Sequence, residues 1–73
     1  MPDAYHNWST DPRPFGECLQ EWMRVNGYQT SAEAAEALGV KPATFHVWRY
    51  GRACSMEKTL RLLMTALDRL SPP

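Results

Sequence analysis

Ala43, His46, Val47 and Tyr50 recur at a spacing that places them on one face of an α-helix. The face combines a small residue, an imidazole, a β-branched residue and a phenol, an odd mixture for a protein core. Apolar side chains can contact thymine methyl groups, and an imidazole can hydrogen-bond to purine acceptors in the major groove. The pattern therefore favours base contacts by His46 and Val47. The alternatives are a solvated histidine and a valine packed on the last helix.

Basic and hydroxyl side chains flank this face, and they are typical of contacts to a phosphate backbone. Lys41 precedes the helix, and Arg49 and Arg52 lie towards its C-terminal end. Thr30 and Ser31 open the preceding helix, whose N-terminal amides can hold a phosphate. Phosphate contacts fix the register of a protein on a duplex without reading its sequence. We expect all five residues to lie near the DNA backbone.

No catalytic or metal-binding pattern is recognisable in the sequence. Cys18 and Cys54 form no CxxC pair, so we expect two reduced thiols. His6 and His46 lie far apart, without neighbours at metal-ligand spacing. There is no nucleophile–base pair, glycine-rich phosphate loop or carboxylate pair placed for acid–base work. The sequence therefore predicts no enzyme, no metal, no cofactor and no small-molecule ligand.

Two short helices joined by a tight turn must position the candidate side chains. Ala35 lies four residues before Gly39, and its small side chain lets the two helices approach. Glycine tolerates the positive φ that such a turn favours. Phe45 and Trp48 lie six and nine residues after Gly39 and share the inward face of the second helix. This spacing is typical of a helix-turn-helix, whose second helix enters the major groove.

The first two predicted helices have clear boundaries in the sequence. Apolar residues recur at helical spacing from Phe15 onward, and Asn26-Gly27 supplies a stop, so the first helix covers about residues 14–25. Thr30 and Glu33 match a capping box at the start of the second helix, which runs to Leu38.

The last two predicted helices carry the candidate DNA-facing and subunit-facing surfaces. Pro42 suits the first position of the third helix, which runs to about Tyr50 before Gly51, and Ser55 suits the N-cap of the fourth. The apolar stripe of the fourth helix is wider than one core contact requires, which indicates a partner. The predicted interface of a homodimer consists of Leu60, Leu63, Met64, Leu67 and Leu70.

These elements predict one all-α, compact four-helix domain over residues 15–70, with a tail at 71–73. Residues 1–14 are proline-rich and predict an extended N-terminal arm. Tyr5 and Trp8 suggest that this arm packs on the domain or on a second subunit. No apolar run approaches the roughly 20 residues of a membrane span, and no signal-peptide core is recognisable. We expect a cytoplasmic protein without membrane contact.

The net charge is zero, but the charge is unevenly distributed. Residues 1–40 carry two basic and six acidic side chains, whereas residues 41–73 carry six basic and two acidic ones. Positive charge therefore begins where the candidate DNA-facing helix begins. The local field, rather than net charge, attracts a polyanion. A chance division of charge on a solvated surface is the alternative.

The segment AAEALGVKPATFHVWRYGR resembles the helix-turn-helix of the Cro/C1-type repressors of phages and bacteria. The resemblance rests on Ala35, Leu38-Gly39-Val40, Phe45, Trp48 and Gly51-Arg52. It implies base reading by Pro42, Ala43, His46 and Val47, and phosphates near Ser31, Lys41 and Tyr50. The chain departs from the family in two ways: Lys41 stands where serine is frequent, and four helices replace the usual five.

A second resemblance concerns small anti-CRISPR-associated regulators, which are dimeric autorepressors of phage operons. The short chain, the DPRP stretch from Asp11 to Pro14, AAEALG and the prolines after the last helix are similar to them. Together the resemblances imply a homodimeric transcriptional repressor bound to an inverted-repeat operator in double-stranded DNA. Two alternatives remain: a protein-interaction module such as an antitoxin or phage inhibitor, and an architectural DNA-binding accessory subunit.

Overall fold

The computed structural model describes residues 6–70, and over that range the fold is all-α, as predicted. Four α-helices follow a single 3-10 turn, and the described residues include no strand. The elements are the 3-10 turn Trp8–Thr10, α1 Phe15–Asn26, α2 Ser31–Leu38, α3 Pro42–Arg49 and α4 Glu57–Leu70. None of the helices described is long and apolar enough to cross a bilayer.

The capping box predicted for α2 is confirmed. The Thr30 hydroxyl accepts a hydrogen bond from the Glu33 amide at 3.2 Å, and the Glu33 carboxylate accepts one from the Thr30 amide at 3.1 Å. The helix ends at Gly39, whose φ of 75° lies in the left-handed region. Glycine adopts this conformation without a Cβ clash, so the chain can turn at once into α3.

The end of α3 and the start of α4 differ from the sequence prediction: α3 ends at Arg49, one residue before the predicted Tyr50. Pro42 is the first residue of α3, as predicted, and Lys41 is an N-cap without a side-chain capping bond. The start predicted for α4 is wrong, because the helix begins at Glu57. The carbonyl of Met56 accepts the helical bond from Leu60 at 2.9 Å, so Ser55 lies one position too early to be the N-cap.

The core lies where the inward faces of the four helices and the N-terminal segment meet. Ala34 and Ala35 are fully buried, which brings α2 against α3, and Phe45 is fully buried on the inward face of α3. The other buried apolar residues are Trp8, Phe15, Cys18, Leu19, Trp22, Met23, Leu38, Leu60 and Met64. Trp48 was also predicted to face inward; it packs on this core but is only half-buried.

The N-terminal arm packs on the domain over the residues that the structure describes, which is one of the two alternatives predicted for Trp8; its backbone is extended at Asn7 and Asp11 and turns between them. Trp8 lies in the 3-10 turn and is only 1 % exposed, because its indole packs into the domain. Its backbone amide donates to the Thr65 hydroxyl of α4 at 2.9 Å. The prediction for Tyr5 and the tail at 71–73 lie outside the described residues.

A buried arginine fixes this N-terminal segment to α4. The Arg61 guanidinium donates to the carbonyl oxygens of Trp8, Asp11 and Arg13 at 2.9, 3.1 and 2.8 Å. It also donates to the Glu57 carboxylate at 2.8 Å, which neutralises its charge. Arg61 thus gives three backbone carbonyls of this segment a charged donor at short distance.

The first turn of α1 positions the C-terminal end of α3. A Cβ on Gly16 would lie 2.9 Å from the carbonyl oxygen of Arg49 and 3.0 Å from that of Trp48, so only glycine permits this approach. One turn further along α1, the side-chain amide of Gln20 donates to the same Arg49 oxygen at 3.0 Å. The orientation of α3 therefore depends on two residues of α1.

Candidate nucleic-acid interface

The outward face of α3 carries the four side chains Ala43, His46, Val47 and Tyr50. Phe45 holds the opposite face of the helix in the core, and α2 packs along its side. Ala43, His46, Val47 and Tyr50 are exposed, and the exposed fractions of Val47 and Tyr50 are 41 % and 64 %. These four residues form one exposed strip along α3, which we call the α3 face.

Hydrogen bonds join residues of α2 and α3 beside the α3 face. The Ser31 hydroxyl oxygen lies 3.2 Å from Nδ1 of His46 and accepts a hydrogen bond from Nη1 of Arg49 at 3.2 Å. The rings of His46 and Tyr50 have centroids 4.8 Å apart. The structure thus brings a predicted base-reading residue together with three residues expected near phosphates.

The Arg49 guanidinium is held in place on one side and is available on the other. Its central carbon lies 5.1 Å from the centroid of the Tyr50 ring, within cation–π range. Its Nε atom is buried and has no hydrogen-bond partner among residues 6–70. An unsatisfied buried donor costs free energy, so the packing around Arg49 and its bond to Ser31 must offset that cost. Nη1 keeps a second hydrogen beyond the Ser31 bond, and Nη2 keeps both of its own.

The other predicted contact residues lie at the surface. Thr30, Lys41, Pro42 and Arg52 are all exposed. The Thr30 hydroxyl accepts the capping bond but keeps its own hydrogen for an external acceptor. Arg52 follows α3 directly and its amide bonds back to the Val47 carbonyl at 2.9 Å, which fixes the backbone from which its side chain projects.

One of the positive charges counted in the second half of the sequence is not free at the surface. Arg61 was counted with the positive charges of the second half, but it is only 8 % exposed and is paired with Glu57. Neither residue therefore contributes a free charge to the field. The basic side chains of residues 41–70 that remain exposed are Lys41, Arg52, Lys58 and Arg69, with Arg49 half-buried.

The N-terminal segment contains an ion pair of its own. Arg13 donates to both carboxylate oxygens of Asp11 and holds the pKa of that carboxyl far below its usual range, against the effect of burial. His6 adds a contact of 2.6 Å from Nε2 to the same carboxylate. Asp11 stays ionised at neutral pH, but the positive charge of Arg13 offsets its negative charge, so the pair repels a polyanion little.

The apolar surface of α4 differs from the subunit interface predicted from the sequence. Leu60 and Met64 are 2 % and 0 % exposed in the core of their own chain, so they cannot contact a second subunit without unfolding. Leu63 and Leu67 are half-buried against the same core. Leu70 is exposed, and so are Leu62 and Ala66, which the predicted interface omitted.

Sequence reasoning missed the residues that position α3. Gly16 and Gln20 lie one turn apart on α1, and a glycine in the first turn of a helix was the only signal of a close contact there. The partner of such a contact is not encoded in local spacing.

The two cysteine thiols are at least partly buried. Burial raises the pKa of both the Cys18 and the Cys54 thiol, so both favour the unreactive protonated form. Over residues 6–70, no three His, Cys, Asp or Glu side chains come together as a metal site requires.

Comparisons with protein-family models, curated proteins and solved structures find no match to this chain.

Proposed function

We propose that this protein is a sequence-specific DNA-binding transcriptional repressor that uses α2 and α3 as a helix-turn-helix. The observation that carries the proposal is the exposed α3 face, which is bordered by Ser31, Lys41, Arg49 and Arg52. In this arrangement α3 enters the major groove, and the N-terminus of α2 lies over a phosphate. The resemblance to Cro/C1-type repressors supports the same orientation.

Within this proposal each group has one task. Pro42, Ala43, His46 and Val47 contact base edges, since apolar groups fit thymine methyls and an imidazole fits purine acceptors. The six residues that contact phosphates are Thr30, Ser31, Lys41, Arg49, Tyr50 and Arg52. The bound state is a homodimer on an inverted repeat, with its two α3 helices about 34–36 Å apart. Such a regulator acts in the cytoplasm and has no catalytic role.

A selection experiment tests the proposal. A random duplex library is selected with the purified chain, and affinity for the enriched and for random duplex is measured at several salt concentrations. We expect an enriched inverted repeat, and a His46→Ala affinity for it that is lower by about 1–3 kcal/mol. Affinity for random duplex and the melting temperature should hardly change, since His46 is exposed.

The alternatives predict different results in the same experiment. A protein-interaction module binds no duplex in a salt-dependent way. An architectural accessory subunit binds without an enriched sequence and bends its DNA strongly. A phage autorepressor, by contrast, has an inverted repeat just upstream of its own coding region.

A further inference from the structure

A chain of two hydrogen bonds holds the His46 imidazole from one side. Nη1 of Arg49 donates to the Ser31 hydroxyl oxygen at 3.2 Å, and that oxygen lies 3.2 Å from Nδ1 of His46. A guanidinium can only donate, whereas a hydroxyl carries one hydrogen and two lone pairs. Because Arg49 takes up one lone pair, the hydroxyl hydrogen of Ser31 is free to point at His46.

The direction of this chain determines which ring nitrogen carries the proton. If Nδ1 of His46 were protonated, it and Arg49 would both donate to the Ser31 oxygen. The hydroxyl hydrogen of Ser31 would then have no acceptor in this group of three side chains. If Ser31 donates, the bonds run in one direction, from Arg49 to Ser31 to His46, and the Ser31 hydroxyl uses its hydrogen as well as one lone pair. Nδ1 is then the acceptor, and the proton of the neutral ring lies on Nε2.

The geometry also directs Nε2 outward. Nδ1 is turned towards α2, so Nε2 lies on the far side of the ring, on the exposed α3 face. The Tyr50 ring lies beside the imidazole, at a centroid distance of 4.8 Å. His46 therefore presents a hydrogen-bond donor at a fixed position.

The two hydrogen bonds from Arg49 to Ser31 and from Ser31 to His46 form a relay. We infer that this relay makes His46 a donor to guanine and thereby selects guanine at one position of each operator half-site. Guanine shows two acceptors, N7 and O6, in the major groove, whereas adenine shows one acceptor beside a donor, thymine shows one acceptor beside a methyl group, and cytosine shows only a donor. The Ser31 side chain is a positioning group, since it acts on DNA sequence through His46, whereas the Ser31 backbone amide at the start of α2 is what contacts the phosphate. This inference rests on the proposed DNA-binding function, but its first test does not need DNA.

The first experiment determines the tautomer by nitrogen NMR of the free, labelled full chain at alkaline pH. The chain has only two histidines, so His6→Ala assigns the signals. We expect the Nε2–H form of His46 to dominate. Ser31→Ala should give a mixture of tautomers, and Ser31→Thr, which keeps the hydroxyl, should restore the Nε2–H form. A dominant Nδ1–H form in the unsubstituted protein overturns the inference.

The second experiment replaces the enriched guanine by 7-deazaguanine, which lacks the N7 acceptor. Affinity of the unsubstituted protein and of Ser31→Thr should fall at least about fivefold, the lower end of what a specific base contact contributes. For His46→Ala the same replacement should change affinity less than about twofold, and Ser31→Ala should fall between them.

Two outcomes overturn the inference in distinguishable ways. An enriched operator whose guanines can all be replaced without effect overturns the guanine assignment and leaves the proposed function standing. A library with no enriched sequence overturns both, even if the NMR spectrum shows the Nε2–H form.

Discussion

Trp8 and Asp68, sixty residues apart in the chain, are joined by a 2.9 Å hydrogen bond from the indole nitrogen to the carboxylate. The other carboxylate oxygen of Asp68 accepts from the indole of Trp22 at 2.9 Å and from the Asn26 side chain at 3.2 Å. One acidic group on α4 thus satisfies two buried tryptophans. This carboxylate connects the N-terminal segment, α1 and α4.

Replacing Asp68 with Asn should destabilise the domain. An amide has one acceptor oxygen, so its NH2 group would face one of the indole N–H groups and leave it unsatisfied. We expect a loss of about 1–3 kcal/mol in the free energy of unfolding, measured by urea titration with tryptophan fluorescence. Glu36→Gln, the same chemical change at an exposed site on α2, should stay within about 0.5 kcal/mol.

Gly16→Ala tests the contact between α1 and α3. Alanine favours helix formation, but here its Cβ meets two backbone carbonyls at about 3 Å, so the helices must move apart. We expect unfolding to become easier by about 1–3 kcal/mol, as for other overpacked contacts. Glu17→Ala, at the next and exposed position, is the control. A Gly16→Ala protein that is more stable than the unsubstituted chain contradicts the close approach.

Asp11 should make stability depend on pH in the acid range. The Arg13 hydrogen bonds lower the pKa of Asp11 in the folded chain, whereas the unfolded chain takes up a proton near pH 4. The stabilisation is therefore present above about pH 4 and is lost as the pH falls towards the folded-state pKa. Asp11→Asn should cost about 1–3 kcal/mol at pH 7 and less at pH 3. An equal cost at both values rules out this linkage.

Arg52→Ala should weaken binding to every DNA sequence alike. The residue is exposed and follows α3, so its loss removes one phosphate contact and lowers the log–log salt slope by about 0.9. Arg49→Ala should lower the slope similarly and also reduce stability, because its guanidinium is half-buried against Ser31 and Tyr50. Arg24→Ala, on α1 beside Glu21, makes the same charge change away from the α3 face. Its slope should match that of the unsubstituted protein.

Leu62→Glu should separate the proposed homodimer without unfolding its subunits. Leu62 is 53 % exposed on α4, so a carboxylate there is solvated in a monomer and buried in an interface. Sedimentation at micromolar concentration should show dimers for the unsubstituted chain and monomers for this variant. Val25→Glu, at a similarly exposed apolar position on α1, should remain dimeric. A monomeric unsubstituted chain, both free and on DNA, contradicts the proposal.

The sequence predicted those features that depend on neighbours in the chain. The capping box at Thr30, the turn at Gly39 and the inward Phe45 follow from spacing alone, and all three are confirmed. The N-terminal segment could not be predicted in this way, since its conformation depends on Arg61 and Asp68, which lie far along the chain. The same distance led Arg61 to be counted as a free charge.

The relay beside the α3 face lies between these two cases. Ser31 and His46 were each singled out from the sequence, but as contacts to different parts of DNA. Their hydrogen bond depends on how α2 crosses α3, which helical periodicity does not specify. The type of each residue was therefore predictable, and its hydrogen-bonding direction was not.

The hydrogen bonds from Arg61 to the N-terminal segment affect the order in which the chain folds during synthesis on the ribosome. The carbonyls that it binds are made 48 to 53 residues before it, so they cannot gain these partners until α4 has left the exit tunnel. The nascent chain can form α1 to α3 earlier, but the segment Trp8–Arg13, although it is made before them, is fixed in place only afterwards. Contacts between such distant residues slow the completion of folding.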